Sequence, residues 1–156
     1  MEYYYIEFEF CSHESLSRLI ETAAKMQYDK EKNTEDIDNK WIKYFTEQEL
    51  DRFNWPTEEE YEVTRKLLGN VYIKVVPSNE DMKDEWDIYS MFEAIKNGEY
   101  DIIGVKHYGE MTYRLEIDPH SYPYGGINSL KKLVTCYGHK LIAADNGIGR
   151  IQENDK

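Results

Sequence analysis

Only two cysteines, Cys11 and Cys136, occur in 156 residues. Two are too few for a disulfide framework or a four-cysteine zinc site. No stretch approaches the roughly 18 apolar residues that a membrane-spanning helix requires. The opening Met1-Glu2-Tyr3-Tyr4-Tyr5-Ile6-Glu7-Phe8 has no basic region, and Glu2, Glu7 and Glu9 interrupt its apolar residues, so it does not read as a secretory signal. A cytoplasmic protein is the expectation. The four histidines His13, His107, His120 and His139 lack H-E-x-x-H spacing and any cysteine-rich context, and neither a metal nor another cofactor is expected. A phosphate-binding P-loop and a dinucleotide fingerprint are absent as well.

Basic residues are the other scarcity. There are 19 Lys+Arg against 31 Asp+Glu, for a net charge of -12. Residues 1–99 carry 24 of the acids and 12 of the bases, while 100–156 carry seven of each. The excess therefore lies in the first two thirds. Such a field repels a nucleic-acid backbone and draws in basic surfaces. Direct nucleic-acid binding is not expected, nor is a membrane. The same acidity also keeps a protein soluble.

What is present is enough to fold. Aromatic residues make up 14% of the chain, including 14 tyrosines, which is far from the composition of a disordered acidic tail. The length suits a single domain over 1–156. Residues 2–10 alternate, with Tyr4, Ile6, Phe8 and Phe10 on one side and Tyr3, Tyr5, Glu7 and Glu9 on the other, which predicts a half-buried strand. Ser12 precedes Leu16, Leu19, Ile20 and Ala23 at helical spacing, so a capped helix should run to about Tyr28. The segment 29–69 reads as a helical insertion. It holds a short amphipathic helix around Ile37, Trp41, Tyr44 and Phe45, capping boxes at Thr46/Glu49 and Thr57/Glu60, and a helix over 58–68.

Residues 71–76 form a short β-branched run. Ser78 or Asn79 should cap one helix carrying Met82, Trp86, Tyr89, Phe92 and Ile95 to Gly98. Strands over 100–107 and 111–118 flank a Tyr108-Gly109 turn. A helix with Ile127, Leu130, Val134 and Tyr137 follows, then a strand over 141–144 that Asn146-Gly147 turns back into 148–151. The predicted class is α+β, with a mixed, largely antiparallel sheet and helices on one face. A ferredoxin-like β-α-β-β-α-β unit over 71–145 would be joined by an N-terminal β-α unit in the same sheet or at its edge.

No constellation declares a reaction. Cys11 and Cys136 read as packing residues. Cys136 and His139 lie close in sequence but lack the third group that nucleophilic catalysis needs. Asp118-Pro119-His120 ends a strand. Glu116 and Asp118 share a polar strand face and read as solubilising charge. No catalytic residue is assigned. The loop Tyr122, Tyr124, Gly125, Gly126 precedes a helix start and is the candidate ligand loop, since glycine permits close approach and tyrosine permits stacking.

The acidic helix starts say more. Glu58, Glu59, Glu60 and Glu62 open one, and Asp81, Asp84, Glu85 and Asp87 crowd another, beyond what a helix dipole asks for. Trp55 lies beside them. An acidic rim around an aromatic anchor suits a basic protein partner. The expectation is a non-enzymatic acidic protein that occludes such a partner. In composition it is similar in kind to toxin-immunity proteins and to bacterial or phage inhibitors of nucleic-acid enzymes. The alternative is a small-molecule-binding or enzymatic domain with its pocket near Tyr122–Gly126 and the polar strand face.

Overall fold

The computed structural model describes residues 3–53, 86–120, 127–147 and 149–153. Strand β1, Tyr4–Glu9, follows its alternation: Ile6 and Phe8 are fully buried in the core, while Tyr3 and Tyr5 line the opposite face. Ser12 then starts α1, His13–Lys32, by accepting the Ser15 N–H with its hydroxyl oxygen. The stripe Leu16, Leu19, Ala23 and Met26 is buried. The helix continues past Tyr28 and stops at Asn33. There a left-handed backbone, φ 51°, lets the Asn33 N–H reach the carbonyls of Asp29 and Lys30.

Helix α2, Ile37–Trp41, leads through a single 3-10 turn into α3, Glu47–Leu50. The Thr46/Glu49 capping box forms completely, with Glu49 Oε1 accepting the Thr46 N–H at 2.8 Å. From the segment read as an insertion, Trp41, Ile42, Phe45, Leu50 and Phe53 join the same buried cluster as the sheet. Asp29 at the end of α1 accepts the Trp41 indole N–H at 2.6 Å and the Thr34 hydroxyl at 2.9 Å, which fixes this return.

Helix α4, Ile88–Asn97, corrects one expectation. The predicted helix from Ser78 or Asn79 to Gly98 does not run through Asp87, which is extended at φ -89°, ψ 159°; its part before Trp86 lies outside the described residues. The Asp87 carboxylate accepts the Ser90 N–H at 2.9 Å and the Ser90 hydroxyl at 2.7 Å. A residue that caps the start of a helix in this way cannot also lie within a longer one. The predicted helix over 58–68 and strand over 71–76 lie outside the described residues.

The hairpin is as predicted. β2, Tyr100–His107, pairs antiparallel with β3, Thr112–Pro119. A bulge between Ile102 and Gly104 keeps Val105 opposite Leu115 and Lys106 opposite Arg114. Gln27 of α1 covers this irregular edge: its side-chain oxygen accepts the Ile102 N–H at 2.7 Å. α5, Asn128–Cys136, ends at Gly138, whose φ of 96° suits glycine and brings it close to Cys11 and Arg52. β4, Lys140–Asp145, and β5, Arg150–Gln152, complete the elements.

The five strands form one antiparallel sheet in the order β2-β3-β1-β4-β5. The fold is thus α+β with a five-stranded antiparallel sheet. The ferredoxin-like unit expected over 71–145 is not confirmed: its first strand, 71–76, lies outside the described residues, and the strand order is not the usual one for that fold. The centre of the sheet is β1, bonded to β3 on one side and β4 on the other, and β5 extends the order beyond β4. Of the two placements expected for the N-terminal strand, within the sheet or at its edge, β1 takes the first, with Ile6 and Phe8 fully buried in the core. The helices cover the face holding Ile6, Phe8, Leu115 and Ile117. Among the described residues, the opposite face carries no helix.

Candidate functional site

Two surfaces concentrate charge. The first lies where α2 meets the start of α4. Asp36 precedes α2, Asp38 is in its first turn, Asp87 caps α4 and Glu93 lies further along that helix. The Asp38 carboxyl is held above the usual carboxylate range, by partial burial first and then by the negative charges of Asp36, Glu93 and Asp87. Three carboxylates from two elements therefore act on Asp38. The sequence separates Asp36 and Asp38 from Asp87 and Glu93 by at least 49 positions, and the packing of α2 against α4 brings them together.

The second surface is the uncovered face of the sheet. Period-two alternation sends Tyr5 and Glu7 of β1, Arg114 and Glu116 of β3, Lys106 of β2 and Asp145 of β4 to this side. Glu7 is 4% exposed although it faces away from the core. Arg150 grips it with Nη1 at 2.6 Å from Oε1 and Nη2 at 3.2 Å from Oε2, while Arg114 Nε donates to Oε1 at 3.0 Å. Burial pushes the Glu7 carboxyl up, but the hydrogen bonds from Arg150 and then Arg114 outweigh it and hold it below its ordinary value. The Arg114 guanidinium is sandwiched between the rings of Tyr5 and Tyr108, 3.8 and 3.5 Å from their centroids. Tyr3, Tyr5, Lys106, Tyr108, Arg114, Glu116 and Asp145 line a concavity of about 530 Å³.

Other chemistry-bearing groups among the described residues make packing, hydrogen-bond and ion-pair contacts. Cys136 is buried, its thiol donates to the Leu133 carbonyl, and burial pushes it far up, so it packs as expected and forms no pair with His139. Cys11, by contrast, is exposed. His139 is buried with Nδ1 accepting the Cys11 N–H at 3.1 Å, and burial lowers its affinity for a proton. His120 pairs with Asp101 at 3.1 Å rather than with Asp118. Arg18 and the buried Glu49 form a two-pronged ion pair that ties α1 to α3, and Arg18 Nη2 also donates to the Tyr44 carbonyl at 2.9 Å. Among the described residues, no group of His, Cys, Asp and Glu has a metal-holding arrangement. No described helix is long and apolar enough to cross a membrane.

Of the residues singled out from sequence, Asp87 alone of the acidic set is described, and it joins the first surface while capping α4. Glu58, Glu59, Glu60, Glu62, Asp81, Asp84, Glu85 and Trp55 lie outside the described residues, as do Tyr122, Tyr124, Gly125 and Gly126. Trp86 packs half-buried against the core. Sequence reading missed Asp38 as the point where Asp36, Asp87 and Glu93 act together, and Glu7 and Arg114 as partners of each other. The second pair left a signal: both stand on outward positions of strongly alternating strands. No protein-family model matches the chain, and no curated protein or solved structure matches it.

Proposed function

We propose that this is a non-enzymatic acidic binding protein that occludes a basic protein partner, in the manner of a toxin-immunity protein or a bacterial or phage inhibitor of a nucleic-acid enzyme. The observation that carries the reading is the convergence of Asp36, Asp38, Asp87 and Glu93 where α2 packs against α4; the Asp38 carboxyl is raised by burial first and then by the other three. Like charges held together cost stability in the free protein, and a cationic surface laid across them relieves that cost. The net charge of -12 steers such a partner over distances beyond a single contact. The acids at 58–62 and 81–85 extend the same excess in sequence.

The test is association kinetics with the stoichiometric partner recovered on the immobilised protein. Asp38→Lys together with Glu93→Lys reverses two charges without touching the Asp87 cap. Association should slow by about tenfold or more at low salt, and its salt dependence should flatten. Unchanged rates at both low and high salt would show the acidic surface to be solvation only.

A further inference from the structure

We propose that the uncovered sheet face between β1, β2 and β3 is a binding site for a nucleoside monophosphate, independent of the acidic surface and of the partner proposed for it. The site is built in two layers. Glu7, buried and fixed by Arg150, holds Arg114 through Nε, and the rings of Tyr5 and Tyr108 close on both faces of that guanidinium. Its position is set before any ligand arrives. Its two Nη groups make no hydrogen bond to the described residues.

Lys106 stands directly opposite Arg114 across the β2–β3 ladder. Like charges in that register destabilise a sheet, and opposite charges are the usual choice. Lys106 forms no ion pair among the described residues, although the carboxylate of Glu116 is on the same face two positions along β3 from Arg114. Two cations kept side by side, on a chain with 12 more acids than bases, fit a doubly charged anion with several acceptor oxygens. Phosphate has that chemistry, and a carboxylate has half the charge.

The rest of the concavity fits the rest of the ligand. Glu116 and Asp145 flank Tyr5 in the next row of the sheet, and both are acceptors. Asp145 uses Oδ1 for the Gly147 and Gly149 amides, leaving Oδ2 without a hydrogen bond among the described residues. They repel a second anion and suit the hydroxyls of a sugar. Tyr3 and Tyr108 remain 37% and 59% exposed, giving ring surface on which a base stacks. The volume, about 530 Å³, lies within the range of small-molecule sites.

The experiment is a titration of the ¹⁵N-labelled full chain with adenosine 5′-monophosphate at physiological salt, with adenosine alone and inorganic phosphate alone as controls. Saturable shifts should centre on residues 3–5, 104–108 and 114–116, and each control should bind at least about tenfold more weakly. Lys106 is exposed and forms no ion pair among the described residues, so Lys106→Ala should leave the fold intact and weaken binding about five- to tenfold. Arg114→Lys keeps the charge but loses the planar fork, and should weaken it as much. Absence of saturation up to about 10 mM, or equal affinity of Lys106→Ala, overturns the proposal. So does tighter binding of a single-stranded oligonucleotide than of the monophosphate, which would assign the face to nucleic acid.

Discussion

Lys30 lies over the ring of Tyr100, its ammonium 4.5 Å from the centroid and donating to the Ile95 and Gly98 carbonyls at 2.6 and 2.9 Å. It closes the end of α4 from outside, so one side chain joins α1, α4 and β2. Burial lowers its pKa to about 8 from 10.5, while burial raises the Tyr100 phenol to about 12. Between pH 8 and 10.5 the unfolded chain thus holds more protons at this position than the folded one. The Lys30 contribution to stability should rise with pH across that window and stay level below it. Urea midpoints at pH 7.5 and 9.5, compared between wild type and Lys30→Met, check this. A wild type that gains nothing relative to the variant on going to the higher pH contradicts it.

Glu49 serves two neighbours at once. It completes the Thr46 capping box and pairs with Arg18 while nearly excluded from water. Removing it leaves a guanidinium without its counter-charge, so Glu49→Ala should destabilise the protein by about 3–5 kcal/mol. Thr46→Ala, which loses only the cap, should cost about 1 kcal/mol. Denaturant unfolding of both variants reads the difference.

At the opposite face, Glu7 governs the acid limb. Its carboxyl is held below the ordinary value of 4.5, so its stabilisation is complete above that pH and is lost as pH falls through the lower folded value. Glu7→Gln should be less stable at pH 7 by roughly 1.5–3 kcal/mol and should converge with wild type in strong acid. Acid titration of the circular dichroism signal at fixed urea follows the convergence.

Gln27 protects the irregular edge of β2. Gln27→Ala leaves the Ile102 N–H without its acceptor at the bulge and frees Asp101 from a donor at 2.9 Å. A loss of about 1–3 kcal/mol is expected, together with faster amide exchange at Ile102. Exchange unchanged at Ile102 would mean that the bulge is held by the sheet alone.

What the sequence determined by itself was local. The alternation of Tyr4 to Phe10 and of Met111 to Asp118 placed β1 and β3 and chose which face of each is buried, because the side-chain period of a strand admits no other solution once Ile6, Phe8, Leu115 and Ile117 must leave water. Ser12 and the Thr46/Glu49 pair marked helix starts correctly, since a cap is a contact between residues three apart. Asp87 was misread where propensity and apolar spacing favoured a continuous helix over a cap, and its bond to Ser90 decided the matter within the same few residues. Only the tertiary structure decided the rest. It set β1 at the centre of the sheet, brought Asp36 and Asp38 to Asp87 and Glu93, and seated Arg114 between Tyr5 and Tyr108 on Glu7. Strand order follows from which apolar faces bury the most area together, a property of the assembled core. Each contact in the two charged surfaces joins residues that no local pattern links, so their chemistry became legible only once that core had fixed the register.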